Sequence, residues 1–150
     1  MELRTERLRL RLPRLDDADA VAAFGGETDL HRWVDDWQRY RVGKFLLELP
    51  DSSVVGRVGL NFFDVDTWER SVAPDAQPEL GWHLAPEHRG RGYATEAARA
   101  VREWFDTDRL ISLIATDNAP SQRVATRLGA APTDTVSLPD GLYVIWLHPR

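Results

Sequence analysis

Apolar and polar positions change their period several times along the chain, and each change marks an element. At 7–12, RLRLRL alternates strictly and places Leu8, Leu10 and Leu12 on one face of a predicted first strand. Asp16 and Asp17 then suit a helix start, with Val21, Ala22 and Phe24 as its apolar side until Gly25-Gly26 breaks it. Leu30, Trp33, Val34 and Trp37 recur at helical spacing and predict a second helix over about 29–40. KFLLEL at 44–49, the turn PDSS and VVGRVGLNFF at 54–63 read as an antiparallel hairpin. The stretch 64–78 holds three aspartates, Glu69 and two prolines, and reads as a loop.

Alternation returns in ELGWHLA at 79–85, a predicted strand stopped by Pro86. Residues 93–106 carry a helical stripe of Ala94, Ala97, Ala98, Val101 and Phe105. LISLIA at 110–115 is short and nearly all apolar, as in a strand buried on both faces. Asn118 can cap a further helix, with Pro120 tolerated in its first turn and Gly129 ending it. The tail VSLPDGLYVIWLH predicts a strand, a Pro-Asp-Gly turn and a final strand. The order β-α-α-β-β-β-α-β-α-β-β is mixed α+β and lacks the strict alternation of a doubly wound sheet. No repeat or linker divides the chain, so 1–150 is expected to be a single domain.

Composition narrows the chemistry. The chain has no cysteine, which removes disulfides, thiolate catalysis and Cys-ligated zinc, and no spacing suggests another metal site. Lys44 is the only lysine, so neither a P-loop lysine nor a Schiff base is expected. A net charge of −5 argues against a general nucleic-acid binder. The N-terminal MELRTERLRLRLP lacks a signal-peptide core and no window reaches bilayer length, so the expectation is a cytoplasmic protein with no membrane partner.

HRGRGYATEA, at 88–97, concentrates glycine and positive charge between a predicted strand and a helix start. A helix N-terminus presents unpaired N–H groups and partial positive charge, and glycines let backbone close around an anion. Phosphate or pyrophosphate is the natural guest. The loop is not a Walker loop, which needs G-x-x-x-x-G-K-[ST]. It also misses the dinucleotide fingerprint, because Thr95 stands where a third glycine belongs.

The run Arg89-Gly90-Arg91-Gly92-Tyr93-Ala94 resembles the acyl-CoA pyrophosphate loop of the GNAT N-acetyltransferases. HRGRGYATEA is similar to the branch containing the ribosomal-protein alanine N-acetyltransferases, and ATDNAPSQRVATRLGA at 115–130 looks like that family's next strand-helix unit. LRTERLRLRLPRLDDADA and VVGRVGL add weaker likeness, so the resemblance covers most of the chain. It implies a mixed, mostly antiparallel sheet of six to seven strands, splayed at its centre and flanked by about four helices. It also implies acetyl-CoA as acyl donor, with the pantetheine arm on the backbone of Trp82, His83 and Leu84. The pyrophosphate would lie on the N–H groups of Arg89, Gly90, Arg91, Gly92, Tyr93 and Ala94.

Within that resemblance Glu79 is the candidate general base. It shares a strand face with Gly81 and His83, opposite Leu80, Trp82 and Leu84. His83 is a second candidate base, since an imidazole titrates near neutrality. Ser121 is the candidate donor to the departing sulfur, because Ala125 occupies the position where many members carry a tyrosine. An N-terminal helix serine also suits capping, as does Asn118, a further candidate for cofactor contact. The alternative to an active enzyme is a catalytically silent acyl-CoA-binding or interaction module on the same scaffold.

The regions expected to border the acceptor are acidic and aromatic: Asp16, Asp17, Asp19, Glu27, Asp29, Asp35, Asp36, Asp64, Asp66 and Glu69, with Trp33, Trp37 and Trp68. They read equally as a border attracting a cationic amine, on a small molecule or a peptide N-terminus, and as a solvated surface over a tryptophan core. The region before Lys44 is compact for the branch, which leaves the acceptor pocket either open or completed by a second copy in a homodimer.

Overall fold

The computed structural model describes residues 1–25 and 28–150. Gly26, half of the predicted glycine break, and Glu27, one carboxylate of the acidic border, lie outside the described residues. Eight strands form one sheet in the order β1-β2-β3-β4-β5-β6-β8-β7. The chain divides into two compact units, Met1–Leu60 with Trp82–Val101, and Asn61–Gly81 with Arg102–Arg150.

The first unit opens with two short strands where the alternation predicted one. β1 (Glu2–Arg4) and β2 (Arg9–Arg11) pair antiparallel. Residues 5–8 reverse the chain, because Thr5 N–H donates to the Leu8 carbonyl at 2.9 Å and Leu8 N–H to Thr5 Oγ1 at 3.1 Å. A 3-10 turn at Leu15–Asp17 leads into α1 (Ala18–Phe24). Val21 and Phe24 are buried but Ala22 is exposed, since a helix this short buries only the i, i+3 pair. The predicted second helix is α2 (Leu30–Tyr40), capped by Asp29 accepting from Arg32 N–H.

β3 (Lys44–Glu48) pairs antiparallel with both β2 and β4 (Val54–Phe63). Val21, Phe24, Leu30, Trp33, Leu46 and Ala85 form the unit's buried cluster. Beside it Arg11 is buried with both of its acids: it reaches Asp17 through two bonds of 2.7 and 3.0 Å and Glu48 through one of 2.6 Å. A paired, fully hydrogen-bonded charge tolerates burial that an isolated one does not.

The second unit centres on β6 (Ile111–Ala115), which pairs antiparallel with β8 (Gly141–Leu147). β8 pairs in turn with β7 (Ala131–Leu138) through the predicted Pro-Asp-Gly turn, where Gly141 takes φ +146°. β7 begins five residues before the predicted strand at 136, because 131–135 are exposed and carry no apolar alternation. α4 (Ala119–Arg127) follows β6, and Gly129 at φ +80° closes its end. Leu110, Ile111, Ile114, Ala125, Leu128 and Trp146 are buried in this unit.

β5 (Gln77–Leu84) and α3 (Tyr93–Trp104) contribute residues to both units. β5 runs parallel to β6, yet the two pair at a single position, Glu79 opposite Ile111. Eight strands, two more than the lower expected count, therefore surround the expected central splay.

Candidate active site

The glycine loop takes its shape from backbone geometry. A 3-10 turn at Pro86–His88 closes β5, and Arg89 N–H is spent on the Pro86 carbonyl at 3.3 Å. Arg89 therefore drops out of the predicted set of anion-binding N–H groups. Its side chain also turns back, Nε donating to the Leu84 carbonyl at 3.2 Å. Gly90 and Gly92 follow at φ +78° and +83°, the left-handed region that glycine adopts without a steric penalty.

Helix α3 then starts at Tyr93. Among the described residues, no loop or turn hydrogen bond is donated by the N–H groups of Gly90, Arg91, Gly92, Tyr93 or Ala94. Two buried side-chain atoms beside them, Thr95 Oγ1 and His88 Nδ1, also lack a hydrogen-bond partner. Successive open N–H groups at a helix start, with polar atoms unsatisfied next to them, fit an anionic guest such as pyrophosphate.

Glu79 lies in the second unit and is only 5% exposed, so it is not a solvated strand-end carboxylate. Oε1 accepts from Asn61 Nδ2 at 2.8 Å and Oε2 from the backbone N–H of Leu113 at 3.0 Å. One residue along, the Ser112 hydroxyl donates to the Leu80 carbonyl at 2.6 Å. Side chains thus take backbone groups that a continuing parallel ladder would have used, and the strands part after Glu79.

Ser112 has one proton, so its 2.8 Å contact with His148 is donated by His148 Nε2. His148 Nδ1 is then an unprotonated, buried nitrogen with no partner among the described residues. Burial, reinforced by the Arg102 charge, lowers the His148 pKa to about 4.

His83, the alternative base, is committed in the first unit: its Nε2 donates to the Phe24 carbonyl at 2.9 Å. Its pKa is held below the usual imidazole value chiefly by burial, which outweighs the Phe24 bond, with Arg57 and Arg89 adding to the effect. Asn118 caps α4, Oδ1 accepting from Ser121 N–H at 3.2 Å. Ser121 is half-buried in that first turn, and Ala125, one turn on, is wholly buried.

The acidic border is largely spoken for. Asp17 is buried against Arg11, Asp29 caps α2, Asp35 pairs with Arg39 at 2.9 Å, and Asp64 Oδ1 accepts from Asp66 and Thr67 N–H in its turn. Trp33 and Trp37 are 1% and 6% exposed, which makes them core and not a substrate wall. Trp68 is half-buried and tilts against Phe63. Asn61 escaped the sequence reading, although a polar residue interrupting the apolar run of β4 was a usable signal. Among the described residues, no group of acids and histidines could hold a metal ion, and no helix is long and apolar enough to cross a membrane.

Known proteins share this fold. A family model described as an acetyltransferase (GNAT) domain matches residues 7–131. An uncharacterized N-acetyltransferase of Bacillus subtilis (strain 168), YnaD, is 36% identical over 55 residues, a match spanning 34% of this chain and 32% of that protein. A GNAT-family acetyltransferase structure from Bordetella pertussis is 27% identical, with a TM-score of 0.80 over 99% of both chains. The ribosomal-protein-S5-alanine acetyltransferase structure from Vibrio fischeri, 13% identical, shares the fold at a TM-score of 0.74 over 97% of this chain and 94% of that one. The expected family and fold class stand: the chain belongs to the GNAT family of acetyl-CoA-dependent N-acetyltransferases.

Proposed function

We propose that residues 1–150 act as one acetyltransferase domain in which Glu79 is the general base and the N–H groups of Gly90–Ala94 hold the acetyl-CoA pyrophosphate. The observation that carries the proposal is a buried carboxylate, fixed by two neutral donors, at the point where β5 and β6 part. A carboxylate held in place there is positioned to take the proton of an attacking amine.

The amine nitrogen attacks the thioester carbon while its proton passes toward Glu79. The C–S bond then breaks and the carbonyl re-forms; a hydrogen bond from Ser121 or water steadies the departing thiolate, which is protonated from solvent as Glu79 returns its proton to solvent. His83 is the poorer base because burial holds its pKa below the usual imidazole value. Asn118 contributes through its cap, which orients the α4 turn carrying Ser121. The acceptor is an amine-bearing small molecule or peptide N-terminus, and the setting is the cytoplasm.

Glu79→Gln tests the reading. Turnover near neutral pH should fall by about a hundredfold or more, the usual worth of a positioned base, with acetyl-CoA affinity retained. Full activity in that variant removes Glu79 from the chemistry. One observation favours the silent-module alternative: the buried residue one turn after Ser121 is Ala125, which has no hydroxyl to donate to the sulfur. Amine-dependent release of free CoA separates the two readings.

A further inference from the structure

We infer that Arg7, anchored by Glu96, is a positioning residue for the glycine loop, setting the direction of the Gly92 N–H and so strengthening the grip on the acyl-CoA pyrophosphate. The inference rests on the reading of this loop as the pyrophosphate cradle. Arg7 belongs to the turn between β1 and β2, more than eighty positions from the loop it touches.

Four contacts converge on it. Its Nε donates to Glu96 Oε1 at 2.7 Å and its own backbone N–H to Glu96 Oε2 at 3.0 Å. The Thr5 hydroxyl closes on the same oxygen. Nη1 donates to the Arg91 carbonyl at 2.8 Å, and the guanidinium lies 4.6 Å over the Tyr93 ring. Glu96 is itself in the first turn of α3, its N–H bonded to the Gly92 carbonyl at 3.0 Å.

The bond to Arg91 matters because the peptide unit is planar and trans. Fixing the Arg91 carbonyl toward Arg7 points the N–H of Gly92, on the same plane, the opposite way. That leaves the donor open for a ligand. Gly92 also makes room for the clamp: a Cβ there would stand 3.3 Å from Arg7 Nη2.

Charge gives a second reason for Arg7. A carboxylate in the first turn of α3 would repel an incoming phosphate. Burial opposes ionisation of Glu96, but hydrogen bonds from Thr5 and Arg7 outweigh it and hold its pKa below the usual carboxylate value. The Arg7 guanidinium then neutralises this anion next to the loop. Arginine suits both jobs, because its planar fork serves a carboxylate and a carbonyl at once where a lysine offers one point charge.

The test uses the full chain and three variants: Arg7→Lys, Arg7→Ala and Glu96→Gln. Acetyl-CoA affinity is read by calorimetry, turnover at saturating acetyl-CoA by CoA release, and the Gly92 amide by NMR during titration. Arg7→Lys, which keeps the charge and so the best prospect of folding, should weaken acetyl-CoA binding several-fold. Arg7→Ala should weaken it by about tenfold or more, the scale of one charge-assisted contact. Glu96→Gln should fall between them. In the arginine variants saturated turnover should stay within about twofold of wild type while the Gly92 amide response shrinks.

Unchanged affinity in both arginine variants overturns the inference and leaves the cradle reading intact. Saturated turnover falling in step with affinity also overturns it, by making Arg7 a general structural residue. A wild-type chain that binds no acetyl-CoA overturns the cradle reading and the inference together.

Discussion

At the glycine loop the groups proposed to hold the pyrophosphate are backbone N–H donors, shaped by two positive-φ glycines and contacted from outside by an arginine-glutamate clamp. At Glu79 the proposed base is a side chain, buried and bonded to an asparagine amide and a peptide N–H. The difference suits what each must do. An anion cradle has to face solvent, and charge near it steers the guest. A base has to be fixed in place where the amine releases its proton.

The same contrast runs through the buried polar groups of the two units. The first buries an ionic cluster, Arg11 with Asp17 and Glu48, while the second buries the neutral chain from the Leu80 carbonyl through Ser112 to His148. The largest expected effect breaks the ionic cluster. Asp17→Asn leaves Arg11 short of a buried partner and should cost about 3–5 kcal/mol, read by denaturant unfolding. In acid this cluster should hold on longer. Burial raises the Asp17 pKa, but bonds from Arg11 and Arg14 prevail and leave it lowered. Its contribution is therefore present above the unfolded carboxylate value and lost only as pH falls through the lower, folded one.

His148 behaves differently. Its pKa falls from 6.5 to about 4 on folding, so below pH 6.5 the unfolded chain binds a proton that the folded chain refuses. Stability should decline as pH drops from 6.5 toward 4, and thermal unfolding at stepped pH reads it. His148→Gln should flatten that decline; an equally steep profile in the variant would assign it to other groups. Smaller effects separate the two halves of the chemistry. Gly92→Ala, strained at φ +83°, should weaken acetyl-CoA binding by about tenfold with saturated turnover little changed. Ser121→Ala should slow turnover only a few-fold, since water can protonate the thiolate, and an unaltered rate returns Ser121 to the helix turn.

The glycine loop was legible in the sequence because its parts are neighbours: strand end, two glycines and helix start lie within 84–93. The clamp and the Glu79 donors were not, because topology assembles them. Asn61 and Leu113 come from different strands, and Arg7 precedes Glu96 by almost the whole first unit. Hydrophobic period located β3 to β6 and three of the helices closely. It missed β1 and the start of β7, where exposed edge strands pair through backbone alone and leave no apolar alternation. The acidic border stayed ambiguous for a related reason: Asp17 and Asp29 serve Arg11 and the α2 cap, which no local pattern announces.

The central claim is best tested by following free CoA released from acetyl-CoA by the purified chain, with and without a panel of primary amines and peptide N-termini. The account predicts saturable release that depends on an added amine and disappears in Glu79→Gln. Tight acetyl-CoA binding with no amine-dependent release across the panel would contradict it and leave the chain a silent acyl-CoA-binding module.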